Sequence, residues 1–299
     1  MKNTYILFLI LLILAACGGG DKKTDVLAGE DTTSTVSQVK VDPELVGEML
    51  ESIPSPLEIS LLIKQAKPEI KFSKTILNST ENISKYNTNY KKALNLGVYS
   101  TDLGYCNIYN QNQEALLYLD AVKEMADGLS IGQFFDMESI RRLATAKSTL
   151  DSLLVVTQQN FEKINGYLQE KQRSNQSVLM LTGGWLESLY LTCEIVKKNK
   201  NPELLERVGD QQKIITQLQS LLKYYESDPM MKLLQADLNN LYKHYDKVKV
   251  TYIYRPVEIK EVDGMSQVID PSTTTIEVSD EAFNSIYDTV VSMRKKVTE

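Results

Sequence analysis

The property that most constrains the fold is a 3.6-residue apolar rhythm that runs, with interruptions, from Pro43 to about residue 247. It is clearest from Gln113 to Leu129, where Ala115, Leu116, Leu119, Val122, Met125, Ala126 and Leu129 form one stripe. Asp127-Gly128 supplies a stop near its end. Pro54 and Pro56 break the chain before a short apolar helix from Leu57 to Ala66, and Pro68 opens a segment carrying Ile70, Ile76, Leu77 and Ile83. The same rhythm predicts helices over Ser84–Tyr109, Ser139–Lys171, Gln176–Lys198, Pro202–Tyr225 and Pro229–Tyr245. Short loops with Asn or Pro separate the last three, which favours antiparallel neighbours. From Val248 the period drops to two: Val248, Val250, Tyr252 and Tyr254 alternate, then Val257 and Ile259 beyond Pro256. With a turn at Asp263-Gly264 and a β-branched run from Thr274 to Val278, a small β-hairpin is expected across about 248–278. Ser279 then caps a terminal helix over about 279–297, built on Phe283, Ile286, Tyr287, Val290 and Met293. The expected class is mainly α: a bundle of stacked antiparallel αα-hairpins with one small β feature.

Two of these helices carry glycines where glycine costs about 1 kcal/mol relative to alanine. One reads Gly97-Val98-Tyr99 with Leu103 and Cys106; the other reads Gly183-Gly184-Trp185 with Leu189 and Cys193. Each is followed by a loop and an Asn-led helix start, at Asn112 and Asn201, so duplication and chance likeness between hairpins both fit. Gly97 to Val122, with Gly104 and Glu114-Ala115-Leu116-Leu117-Tyr118, weakly resembles a tetratricopeptide unit, but the strict 34-residue period is absent. A missing Cβ admits either a neighbouring helix or a ligand. Asn95, Tyr99, Asp102, Cys106 and Tyr109 fall on one helix face, and Gly183, Glu187, Tyr190 and Glu194 on another. Asn95, Tyr99, Asp102, Tyr105, Trp185, Glu187 and Tyr190 are therefore the candidate ligand-binding set, with buried acids that must be paired or protonated. The bland alternative is that the glycines serve helix packing and the acids face water or bond a tyrosine.

Composition excludes more than it selects. A net charge of −6 argues against a nucleic-acid partner, which would need a basic stripe. His244 is the sole histidine, set in the charged run Lys243-His244-Tyr245-Asp246-Lys247, and neither a CxxC nor an HExxH is present. The expectation is no metal, no cofactor and no catalytic residue. Sixteen tyrosines against six phenylalanines suit either a polar binding surface or a wet helical core. Cys106 and Cys193 are open to two readings, a disulfide permitted outside the cytoplasm or two separate buried thiols.

The start of the chain bears on location. Lys2 is followed by the apolar run Ile6–Leu14 and then Ala15-Ala16-Cys17-Gly18, a secretory signal too short to span a bilayer as a mature helix. Leu14-Ala15-Ala16-Cys17 resembles the lipobox of bacterial lipoproteins, which implies cleavage after residue 16 and lipid, palmitate included, on Cys17. Residues 1–16 are then the signal peptide, 17–42 a Gly-, Thr-, Ser- and Asp-rich tether, and 43–299 the helical domain. About 23 residues of flexible coil span roughly 25 Å. Gly18 stands where an Asp would resemble an inner-membrane retention signal, so the outer membrane is the implied destination, on either its periplasmic or its surface face. Leu96-Gly97-Val98-Tyr99 to Gly104-Tyr105, with Leu181-Thr182-Gly183-Gly184-Trp185-Leu186-Glu187 to Tyr190, is similar to a family of helical envelope lipoproteins of the Bacteroidota. That likeness covers about 100 residues and brings no activity with it. The function expected first is a non-catalytic, lipid-anchored envelope protein that binds or scaffolds another envelope component, a protein partner. A lipoprotein binding a sugar, peptide or ion between the Gly97 and Gly183 helices, and a hydrolase using paired carboxylates, are the alternatives.

Overall fold

Between Gln176 and Cys193 the chain carries one charged side chain, Glu187, and between Ala93 and Cys106 it carries one, Asp102. Stretches of that length without a polar face must be enclosed on all sides, and both lie at the centre of the fold. A computed structural model describes residues 43–51, 53, 71–145, 150–262 and 265–299. They all belong to one unit, residues 39–299. The signal peptide, tether and Cys17, the Leu57–Ala66 helix, Pro68 and the Asp263-Gly264 turn lie outside the described residues.

The helices are α1 (Pro43–Glu51), α2 (Asn89–Ile108), α3 (Asn112–Gly128), α4 (Met137–Thr145), α5 (Leu150–Glu170), α6 (Ser174–Asn199), α7 (Pro202–Asp210), α8 (Gln212–Lys223), α9 (Pro229–Tyr242) and α10 (Asp280–Thr298). Between α9 and α10 come β1 (Lys249–Ile253), β2 (Glu258–Val262), β3 (Met265–Ile269) and β4 (Thr273–Glu277). The protein is a mainly α-helical bundle with a small β region, as its periodicities predict. Among the described residues no helix is long and apolar enough to cross a membrane.

The helix expected over Ser139–Lys171 is represented by α4 and α5, residues 146–149 lying outside the described residues, and three further boundaries differ from the expected ones. The helix expected from Ser84 begins at Asn89, because Thr88 Oγ1 accepts from Lys91 N at 3.1 Å, and residues Thr80–Lys85 form a separate 3-10 turn. The span Pro202–Tyr225 is two helices meeting at Gln211. Gly209 weakens the helix there, and a Cβ on it would lie 2.6 Å from Ile276 Cγ2 and Val278 Cγ2 of the packed β region. The helix from Pro229 stops at Tyr242 and tightens into a 3-10 turn at Lys243–Lys247.

The core is organised by the crossing of α2 and α6. A Cβ on Gly97 would lie 2.0 Å from Met180 O and 2.5 Å from Gly184 N, and one on Gly183 would lie 2.0 Å from Leu94 O. The contacts are reciprocal: each glycine meets the carbonyl of the residue three before the other. Thr101 Oγ1, donating to Gly97 O or Gly184 O at 3.1 Å each, sits in the same seam. Gly97, Thr101 and Asp102 of α2 meet Met180, Gly184 and Glu187 of α6 in rising order, so the two helices run parallel. A local two-fold relation with an offset of 86 residues, carrying Tyr99 onto Trp185 and Leu103 onto Leu189, therefore holds around the crossing. Helix α10 runs antiparallel to α6, with Tyr287 Oη donating to Glu194 Oε1 at 2.7 Å and Arg294 reaching Glu187 one turn-pair further along.

The β strands form one ribbon in two antiparallel ladders. Val250 pairs with Ile276 and Tyr252 with Thr274; farther out, Ile259 pairs with Val268. Residues 254–257 and 270–272 separate the ladders, so the register slips by one residue across the break, as at a β-bulge. Ser272 Oγ spans it, accepting from Arg255 N and donating to Arg255 O, both at 3.1 Å.

Candidate functional site

Glycine answers its own question first. At Gly97 and Gly183 backbone meets backbone, so these residues form a close helix crossing and not the floor of a pocket between α2 and α6.

Beside that crossing, five of the seven candidates come together. Asp102 and Glu187 are fully buried and adjacent. Glu187 is held by both arms of Arg294 from α10, Nε donating to Oε2 and Nη2 to Oε1, each at 2.7 Å. Arg294 Nη2 also donates to Ile76 O at 3.0 Å, and its guanidinium lies 4.1 Å from the ring centre of Tyr190. Asp102 Oδ2 accepts from the Asn78 backbone N–H at 3.1 Å. The Asn78 amide continues the network, with Nδ2 donating to Tyr86 Oη at 3.0 Å and to Asn95 Oδ1 at 3.3 Å. Asn95 Nδ2 and Tyr86 Oη in turn donate to Val297 O and Thr298 O, both at 2.9 Å, and Tyr99 Oη to Ser79 O at 2.9 Å.

No donor points at Asp102 Oδ1. Burial, and then the neighbouring Glu187 charge, push the Asp102 carboxyl well above the usual carboxylate range, with Arg294 only partly opposing them. The shift favours the neutral carboxylic acid, which can donate to the adjacent Glu187 carboxylate where a second carboxylate would only repel it. With Asp102 neutral, Glu187 and Arg294 balance. The network is closed on itself, and it fastens residues 76–86 and α10 to the α2–α6 pair.

The other two candidates lie elsewhere. Tyr105 packs at a tilt against Tyr109 and Phe72, with ring centres 4.8 and 5.6 Å away. Trp185 is buried and donates from Nε1 to Gln211 Oε1 at 2.9 Å, at the α7–α8 junction. Arg294, Asn78 and Tyr86 were not among the candidates. Arg294 had a signal, since it is a charge four residues after Val290 and three before Val297 on the apolar side of α10.

The disulfide reading is corrected. Cys106 and Cys193 are both free thiols, fully buried. Burial pushes each thiol far above its ordinary range, so the thiolate is suppressed. Iodoacetamide is expected to modify neither in the folded protein and both in denaturant without reductant; masking that only reductant relieves would restore the bridge. Among the described residues no group of three or more His, Cys, Asp or Glu is placed to hold a metal ion.

Compared with known proteins, the chain matches no family model, no curated protein and no solved structure. The functional reading therefore rests on the geometry and the sequence. A ligand or substrate at Asp102 and Glu187 would first have to displace Asn78 and Arg294.

Proposed function

We propose that the chain is a non-catalytic, lipid-anchored protein of the cell envelope that docks a protein component of that envelope. One contrast carries the reading: the polar groups suited to chemistry are used internally, while a set of large apolar residues is left outside. Val250, Tyr252, Ile253, Tyr254, Val257, Ile259 and Val268 are all exposed on the β ribbon. Soluble monomers rarely leave a contiguous apolar patch of this kind without a partner for it.

The anchor is argued from Leu14-Ala15-Ala16-Cys17 and the polar residues that follow. Gly18 after the cysteine favours the outer membrane over the inner one. Cys17→Ala is expected to move the protein from the membrane pellet to the soluble fraction with its far-UV circular dichroism unchanged. Tight membrane association of that variant would overturn the anchor. The docking half is tested by cross-linking in cells from a photoreactive residue at position 252. A discrete adduct of protein size supports it; adducts confined to lipid, or none, overturn it.

A further inference from the structure

We propose that Asp102 and Arg294 form a receptor for an extended peptide, which Ile76–Asn78 of the chain itself occupies. A partner's segment of the same chemistry, two adjacent apolar residues followed by asparagine, takes their place. Leu77 is extended, with φ −82° and ψ 157°. The carbonyl before it and the N–H after it therefore point to the same side. Those are the two groups that are held. Arg294 Nη2 donates to Ile76 O at 3.0 Å, and Asp102 Oδ2 accepts from Asn78 N at 3.1 Å. A neighbouring parallel strand would offer the same donor and acceptor; here one side chain from α10 and one from α2 stand in for it. Such backbone contacts give a peptide site its affinity for extended chain, and the side-chain pockets give it selectivity.

The pockets are present. Ile76, Leu77 and Asn78 are 6, 7 and 2 % exposed, while Thr75 before them and Ser79 after them are exposed. The segment thus enters and leaves the site within three residues, as a bound peptide does. Asn78 sets its register. Its Nδ2 donates to Asn95 Oδ1 at 3.3 Å and to Tyr86 Oη at 3.0 Å, and its Oδ1 accepts from Asn82 Nδ2 at 2.9 Å.

The receptor is built independently of its occupant. Two bonds of 2.7 Å to Glu187 fix the Arg294 guanidinium, the Tyr190 ring backs it with its centre 4.1 Å away, and Asp102 is fully buried beside Glu187. Burying two acids and an arginine costs desolvation that apolar packing would avoid. A strap that needed only to be held could be held by Ile76 and Leu77 alone. The polar set instead selects which backbone lies there. Because the chain's own segment is covalently joined to the site, it competes at an effective concentration of roughly millimolar order.

The probe is a fluorescently labelled synthetic peptide with the sequence of Ser73–Thr80, titrated into the full-length chain carrying Leu77→Ala. That substitution weakens the occupant and leaves the receptor intact. Binding should be saturable by anisotropy and about tenfold or more tighter than to the wild-type chain. N-methylating the peptide at its asparagine removes the hydrogen that Asp102 accepts, and should weaken binding by roughly tenfold. No saturable binding, or binding indifferent to N-methylation, overturns the proposal. Should Leu77→Ala fail to fold, native-state hydrogen exchange of the wild-type chain decides. The Asn78 amide should exchange about tenfold or more faster than that of Val98 at the centre of α2, through an opening that leaves the helices intact. Exchange of Asn78 only with global unfolding means that the segment never vacates the site, and overturns the proposal. Neither readout involves the β ribbon, so the docking reading above stands or falls separately.

Discussion

Gly183→Ala is expected to lower stability by on the order of 3 kcal/mol or more, at the upper end for overpacking. The added methyl would meet Leu94 O at 2.0 Å, Leu94 C at 2.7 Å and Leu94 Cα at 2.9 Å. These are backbone atoms of a helix, with no flexible side chain to swing aside, so α2 and α6 must separate. Gly97→Ala should behave alike, since its methyl would strike Met180 O and Gly184 N. Gly166 in α5 is the control: a Cβ there meets nothing within 4 Å, and alanine should stabilise by about 0.5–1 kcal/mol. Urea unfolding followed by circular dichroism reads all three. A wild-type midpoint for Gly183→Ala would show that the crossing is not backbone on backbone.

Arg294→Met should cost about 3–5 kcal/mol at neutral pH, because it leaves Glu187 charged and unpaired in the core. Asp102→Asn should do the opposite of what its burial suggests. The Asp102 carboxyl titrates well above its ordinary range in the folded protein, whereas in the unfolded chain it loses its proton above about pH 3.8. A folded value above the unfolded one means that the contribution is complete below about pH 4. It is lost as pH rises toward the folded value, at up to about 1.4 kcal/mol per unit. Asparagine keeps the acceptor for Asn78 N and a donor for Glu187 without this dependence. The variant should therefore match or exceed wild type at pH 7 and lose that advantage near pH 4. Stability measured across that range decides it: a variant less stable at pH 7 than at pH 4, relative to wild type, would mean that Asp102 is ionised.

How far the structure was legible depended on the range of the interaction. Helix α3 was readable almost to the residue because its stripe is clean. The ends at Ile108, Glu170 and Asn199 were legible to within one residue as well, although the left-handed residues past α2, α3, α5 and α6 are Asn110, Ser130, Gln172 and Lys200, none of them glycine. The split at Gln211 arose from Gly209, which reads as an ordinary weak helix position until the strands that cover it are known. For the site, the helical spacing brought Asn95, Tyr99, Asp102, Glu187 and Tyr190 to one place correctly. What spacing could not say is what fills that place. Arg294 arrives from another helix, and nothing local to α2 or α6 announces it. The solitary acid in each central helix was the signal available: a lone charge in an uncharged stretch demands a counter-charge or a proton, and here Glu187 takes the first and Asp102 the second.

The closed network also sets an order of events during synthesis. Glu187 lies 107 residues before Arg294, and Ile76 lies 218 before it. At cellular elongation rates Glu187 is made on the order of 10 s before its counter-charge exists. Until then α2 and α6 cannot close over the acids without stranding a carboxylate. The nascent chain is thereby kept from committing to its core too soon.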